Sequence, residues 1–116
     1  MFPQKNIGTP YVQIEVELQT LCNDAQAWAE HNTYSPDEFA ARFHHRLVFI
    51  HPFSNGNGRH ARLMADLILE KLFAFKVFSW GGDNHTDHNK TREEYISALK
   101  LADEHDYSLL LKFVRS

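Results

Sequence analysis

Apolar residues recur at helical spacing along most of this chain, and no stretch alternates with period two. A first helix is predicted from Tyr11, and it ends before the stretch HNTYSP, which breaks helical geometry. Residues 1–10 contain two prolines and a glycine, so they predict a loop or a short extended segment. The sequence therefore predicts an all-α fold and leaves open a small β-hairpin near the N-terminus.

Local signals define the later helices. Ser35 and Glu38 have the spacing of a capping box, and Pro36 suits the first turn of a helix. This second helix should end near Ile50, because Pro52 disfavours helical geometry at the residue before it. A third helix after the glycines has a broad apolar face, which predicts a central, buried position. A loop is expected at 77–90, followed by two more short helices at 92–102 and 105–114.

Composition restricts the class of protein. The chain of 116 residues fits a single domain over 1–116, and 43% hydrophobic residues indicate a globular fold. The formal charge of -3 disfavours a nucleic-acid or membrane partner. Cys22 is the single cysteine, so no intramolecular disulfide can form, and a lone thiol suits the cytoplasm. No apolar run is long enough to predict a membrane span.

The stretch HPFSNGNGRHAR combines features that favour anion binding. Gly56 and Gly58 permit positive φ and let a ligand approach the backbone closely. The helix that begins here adds unpaired N–H groups and its positive dipole end, while Asn57 suits an N-cap or a turn-fixing role. Arg59 and Arg62 are three residues apart and share one face. The pattern predicts a cradle for more than one phosphate.

His51 precedes this cradle, and an imidazole beside bound phosphates could accept the proton of an attacking hydroxyl. A general base, an anion-binding site and a pair of cationic side chains are the groups that phosphoryl or nucleotidyl transfer needs. Taken singly, each feature has a common structural explanation: a plain turn, a solvated arginine pair or a capping histidine. Their combination at fixed spacing favours the functional interpretation.

The segment HPFSNGNGR resembles the signature of the Fic (Fido) family, H-P-F-x-[D/E]-G-N-G-R with a second arginine three residues later. The preceding FHHRLVFIHPF is similar to the helix that leads into the Fic loop. REEYISALKLADEHDYSLLLKFV resembles the C-terminal helices of a bacterial subgroup called mobile mystery protein B. The resemblance covers nearly the whole chain, and it implies a helical bundle with a β-hairpin flap.

The resemblance also implies an activity, namely transfer of AMP from ATP to a hydroxyl side chain of a target protein. His51 corresponds to the general base. The residues that correspond to the anion site and the phosphate-holding arginines are Gly56, Asn57, Gly58, Arg59 and Arg62. The segment before the first helix corresponds to the flap, which binds the target protein as an added strand. Doc-type relatives transfer phosphate instead, but they lack this glycine pattern.

Asn55 departs from the family signature, because it stands where active Fic enzymes have Asp or Glu as a magnesium ligand. An amide oxygen can contact Mg²⁺ but carries no negative charge, so the metal would be held weakly. Three outcomes stay open: slow catalysis, a water-held metal, or nucleotide binding without chemistry. The alternative to an enzyme is therefore a decayed nucleotide-binding or partner-binding module.

Regulation is expected to come from outside these residues. Many Fic proteins carry an inhibitory helix with [S/T]-x-x-x-E-[G/N], but no Glu here is followed by Gly or Asn. Family members also usually have more helix before the flap. The chain is therefore expected to be a trimmed core, restrained by missing residues, an inhibitory partner or a second copy.

Histidines elsewhere suggest weaker alternatives. His85 and His88 lie near Asp83 and Asp87 in the sequence, and these side chains together could hold zinc. A polar loop explains the same residues better.

Roles are also expected for two further histidines and one tryptophan. Of His44 and His45, one is expected to order the loop by hydrogen bonding and the other to lie at the surface. Trp80 is expected to pack over the edge of the core, with adenine stacking as the alternative.

Overall fold

The computed structural model describes residues 13–82 and 87–116. Its elements are α1 (Ile14–His31), α2 (Pro36–Ile50), α3 (Asn57–Leu67), a π-helical turn (Ile68–Leu72), α4 (His88–Asp103) and α5 (Ser108–Val114). These ranges contain helices and no strand, which confirms the all-α prediction for them. The predicted N-terminal hairpin falls on residues 1–12, which lie outside the described residues.

Helix α1 is joined to α2 by a tight turn and an aromatic cluster. Asn32 ends α1 in the left-handed conformation, and its N–H donates to the carbonyl of Trp28. The indole of Trp28 meets the rings of Tyr34 and Phe39 edge to face, with centroid distances of 5.2 and 5.4 Å. These contacts fix α1 against the beginning of α2.

The predicted boundaries of α2 are confirmed, although the cap is simpler than expected. The Ser35 hydroxyl accepts from the N–H of Glu38 at 3.4 Å, and Pro36 occupies the first helical position. The Glu38 carboxylate pairs with Arg42 at 2.8 Å instead of turning back to the cap. Only one half of the capping box is therefore formed.

Helix α2 is the central helix, and the prediction that α3 is central was wrong. Two apolar clusters lie along α2, one shared with α1 and α3 and the other shared with α3, α4 and α5. Helix α3 covers α2 with one face, whereas Leu63 and Leu67 on that helix remain 56% and 37% exposed. An apolar composition does not reveal which helix has neighbours on two sides.

Helix α4 begins four residues earlier than predicted. Its N-cap is Asp87, whose carboxylate accepts from the N–H groups of Asn89 and Lys90 at 3.0 and 3.3 Å. Helix α5 begins later than predicted, since His105 adopts a positive φ of 67° and interrupts the helical backbone.

The end of the chain is bonded to the first turn of α2. Arg115 holds Asp37 through two hydrogen bonds, of 3.0 and 2.6 Å, and donates to the carbonyls of Lys76 and Val77. The N–H groups of the 79–80 segment also donate to the Val114 carbonyl. This bracket, Arg115 with Asp37, joins residues 78 positions apart.

Both histidines in the middle of α2 are buried, which corrects the expectation that one lies at the surface. His44 is 0% exposed, and its Nε2 lies 2.7 Å from the Tyr95 hydroxyl. His45 is 7% exposed, and its Nε2 lies 2.7 Å from Asp103. Their described hydrogen bonds go to α4 and the residue that precedes α5, not to the loop after α2.

Burial lowers the pKa of His44 to about 4. The Ala61 backbone partly opposes this shift, while the positive charge of Arg62 and the electrostatic interaction with His45 add to it. The imidazole is therefore neutral at pH 7.

Among the described helices, none has the length and apolarity needed to cross a membrane.

Replacing His44 with glutamine should flatten the acid dependence of stability. The pKa of His44 is about 4 in the folded protein, whereas the ordinary value of histidine, 6.5, applies to the unfolded chain. Between pH 6.5 and pH 4 the unfolded chain therefore binds more protons than the folded protein. The wild type should lose about 3 kcal/mol of unfolding free energy as pH falls through this interval, and H44Q should lack that loss. Urea unfolding at pH 7 and near pH 4 measures the difference.

His31→Gln, at the exposed end of α1, is the matched control and should retain the wild-type dependence on pH. Equal acid losses in wild type and H44Q would contradict the assignment to His44.

Candidate active site

His51 lies where α2 ends and the glycine loop begins. It is the C-cap of α2 in the left-handed conformation, with φ of 57° and ψ of 58°, and its N–H donates to the Leu47 carbonyl at 3.2 Å. Pro52 excludes continuation of the helix at this position. The side chain is partly exposed, so its imidazole is accessible to a reactant at the mouth of the loop.

The side chain of Asn57 holds the loop closed by hydrogen bonds to the backbone. Its side-chain oxygen accepts from the N–H of Phe53 at 2.9 Å, and its amide donates to the Phe53 carbonyl at 2.7 Å. Asn57 is 7% exposed and Phe53 is 50% exposed, so the two bonds are partly buried. Gly56 is the N-cap of α3, which makes Asn57 the turn-fixing residue and not the cap.

The glycines bring backbone and guanidinium groups together at the start of α3. Gly56 has a φ of 77°, a conformation that glycine adopts without steric penalty. A Cβ at Gly56 would lie 3.4 Å from Nη2 of Arg59, and one at Gly58 would lie 3.7 Å from Nη1 of Arg62. Each arginine therefore extends back over a glycine, beside the unpaired N–H groups of the helix.

The charges of these two arginines are not neutralised by carboxylates in the described parts of the chain. Arg42, Arg46 and Arg115 all form ion pairs there, whereas Arg59 and Arg62 form none. The first turn of α3 also contains no acidic residue. The site thus concentrates positive potential within a protein of net charge -3, which suits a polyanionic ligand.

Asn55 lies in the exposed part of the loop, one residue before the cap of α3. Within 13–82 and 87–116, no group of three or more His, Cys, Asp or Glu side chains could hold a metal ion. The zinc alternative with Asp83 and His85 lies outside those ranges, and Asp87 is occupied as a helix cap. Asn55 offers Mg²⁺ one neutral oxygen, so most ligands would have to be phosphate oxygens and water.

Tyr95 of α4 was not found from the sequence. Its hydroxyl lies 2.7 Å from Nε2 of His44, and the Cζ atom of Arg62 lies 5.9 Å from its ring centroid. Burial raises the pKa of Tyr95 to about 12, against the charge of Arg62 and its hydrogen bonding to the phenol. No spacing in the sequence connects this tyrosine to the glycine stretch, because tertiary packing alone brings them together.

Trp80 packs against the core edge as predicted. Its ring centroid is 4.6 Å from that of His44, and its indole N–H donates to Asp66 at 3.3 Å. It also lines a cavity of about 270 Å³ together with Arg62, Arg92 and Tyr95. Adenine stacking on Trp80 stays an untested alternative.

Replacing Asn57 with alanine should destabilise the protein by about 1–3 kcal/mol, because the N–H and the carbonyl of Phe53 lose their partner. Thermal or urea unfolding measures this change, and proteolysis between His51 and Gly56 should accelerate. Asn55→Ala is the matched control in the same loop and should change stability by less than about 0.5 kcal/mol. Equal stabilities of the two variants would contradict the assigned role of Asn57.

Alanine should have opposite effects at the two glycines. Gly56→Ala forces an L-residue into the left-handed region and should cost about 1 kcal/mol. Gly58 lies within helix α3, where alanine meets only ordinary contact, so Gly58→Ala should be neutral or stabilising by up to about 1 kcal/mol. Urea unfolding of the two variants tests this, and a loss at Gly58 as large as that at Gly56 would contradict the geometry.

The chain is similar in sequence to known proteins. Residues 5–69 match the Fic/DOC family. The chain is 30% identical over 101 residues to "Protein adenylyltransferase Fic" of Aedes aegypti, covering 84% of this chain and 19% of the relative. The protein of the same name from Nematostella vectensis is 38% identical over 79 residues, covering 68% and 17%, respectively. The chain spans about a fifth of the length of these curated relatives, and it belongs to the Fic/DOC family.

Proposed function

We propose that this domain is a protein adenylyltransferase that transfers AMP from ATP to a hydroxyl side chain of a target protein. The relatives named above are protein adenylyltransferases, which supports AMP transfer as the general activity. The assignment of individual roles rests on the loop itself. Its central observation is the position of two unpaired guanidinium groups over Gly56 and Gly58, at the beginning of a helix.

The polyphosphate of ATP fits this arrangement by charge and by donor geometry. Gly56, Asn57 and Gly58 would present backbone N–H groups to the phosphates, since the side chain of Asn57 is already engaged by Phe53. Arg59 and Arg62 would hold the outer phosphates through their planar donors. Such contacts would leave the α-phosphorus towards His51, which is partly exposed.

His51 would then act as the general base. One ring nitrogen takes the proton of the target hydroxyl while the hydroxyl oxygen forms a bond to the α-phosphorus. The bond between the α-phosphorus and the bridging oxygen breaks, and pyrophosphate leaves with the electron pair. The arginines and the helix N-terminus stabilise the negative charge on the departing phosphates.

Asn55 would set the rate of this reaction through the metal. Magnesium would neutralise negative charge on the phosphates, and Asn55 would be the residue of the loop that holds it. Its neutral oxygen replaces a carboxylate, so we propose a weakly held metal and slow transfer. A catalytically inactive nucleotide-binding or partner-binding module is the alternative that Asn55 supports.

The target protein and the regulation are parts of the same proposal. The target would bind at the N-terminal segment as an added strand, and restraint would come from an inhibitory partner or a second copy of the chain. The segment REEYISALKLADEHDYSLLLKFV further supports placing the protein with the bacterial mobile mystery protein B subgroup.

Incubation with α-labelled ATP, Mg²⁺ or Mn²⁺ and cell lysate tests the proposal. Wild type should label protein, and His51→Ala should reduce labelling by about a hundredfold or more, because it removes the base. Asn55→Asp should raise labelling by at least about tenfold, because a carboxylate holds the metal and stabilises developing charge. His31→Ala, at the end of α1, is the control histidine variant.

Labelling that persists in His51→Ala would exclude the proposed base. Labelling by Asn55→Asp but not by wild type would indicate a decayed site. ATP binding without labelling by either protein would favour the nucleotide-binding module.

A further inference from the structure

Arg62 lies between the glycine loop and a chain of aromatic and imidazole groups in the core. Its Nη1 is close to Gly58, and its Cζ is 5.9 Å from the ring centroid of Tyr95. The Tyr95 hydroxyl in turn lies 2.7 Å from Nε2 of His44, which is 0% exposed. Three helices, α3, α4 and α2, therefore each contribute one of these side chains.

The chemistry of the three groups permits one order of donors and acceptors. Arg62 lies beside the Tyr95 ring, and its hydrogen bonding to the phenol lowers the pKa of Tyr95; because a guanidinium only donates, the phenol oxygen is the acceptor. The phenol hydrogen is then free to go to Nε2 of His44, which must be unprotonated to accept it. Neutral His44 meets this condition when its hydrogen is on Nδ1, because Nε2 is the ring nitrogen that contacts the phenol.

Arg62 needs such an anchor because the space beside it is open. The cavity of about 270 Å³ that it lines with Tyr95 could accept the guanidinium in other rotamers. Arginine loses considerable rotamer entropy when it is fixed in one geometry. The Tyr95 hydroxyl, as an acceptor for the guanidinium, removes part of this entropy cost before any ligand binds. The site is in this sense preorganised.

We propose that Tyr95, held by His44, is a positioning residue that fixes the guanidinium of Arg62 for the phosphates of a nucleoside triphosphate. This inference rests on the proposed function, because it takes ATP as the ligand of the loop. Tyr95 acts through Arg62 and does not touch the nucleotide. It follows that loss of the phenol hydroxyl matters only while Arg62 is present.

Calorimetric titration with ATP tests this in wild type, Tyr95→Phe, Arg62→Ala and the double variant. Tyr95→Phe should weaken ATP binding by about tenfold, since one hydrogen bond to a charged group is lost. In the Arg62→Ala background the same change should have no effect. Adenosine, which has no phosphates, should bind Tyr95→Phe and wild type equally.

The fold offers a matched pair of control residues. Tyr107 lies 3.5 Å from Nδ1 of His45, so it repeats the contact between tyrosine and histidine at a place without Arg62. Tyr107→Phe should bind ATP as wild type does. His44→Gln retains an acceptor near the phenol and should bind ATP nearly as well as wild type, whereas His44→Phe should resemble Tyr95→Phe.

Nitrogen NMR of the His44 ring gives a measurement that does not depend on nucleotide. The expected spectrum shows a proton on Nδ1 and a bare Nε2, and a proton on Nε2 would overturn the proposed order of donors. Equal ATP affinities of wild type and Tyr95→Phe, or equal losses with and without Arg62, would overturn the positioning role. If wild type binds no ATP, the proposed function fails and this inference fails with it.

Discussion

The hydrogen bonds between the Asn57 side chain and both backbone groups of Phe53 are the contacts on which the site depends. They close the loop after His51, and Asn57 itself is 7% exposed. An amide can do this because it donates and accepts at once, which neither a carboxylate nor an ammonium group can do. Since these contacts engage the side chain of Asn57, the neighbouring N–H groups and arginines remain for a ligand.

Local chemistry explains which parts of this protein were predictable. The helix ends at Pro36 and Ile50 follow from proline geometry and capping, and the candidate site residues of the loop are contiguous in sequence, so their proximity needed no tertiary information. The burial of His44 was not predictable, because its partner Tyr95 is 51 positions away. The central position of α2 likewise depends on which helices surround it.

Some arginines of this protein form ion pairs that join parts of the fold, whereas others keep a charge that a ligand could bind. Among the described residues, Arg42, Arg46 and Arg115 pair with carboxylates, and these pairs lie along and between helices. Arg59 and Arg62 lack such partners, although the chain has more acidic than basic residues, 15 against 12. Because Arg59 and Arg62 lie over Gly56 and Gly58, this acidic protein can attract a polyanion to the loop.

The bracket of Arg115 with Asp37 affects how the chain acquires its structure. Helical proteins usually fold quickly because most of their contacts are between neighbours in sequence. Here the last residues must find the beginning of α2 across 78 positions. Such a contact closes a long loop, and it becomes favourable only after the intervening helices have compacted the chain. Complete folding of this domain therefore includes the closure of one long loop in addition to the contacts between helices that are neighbours in sequence.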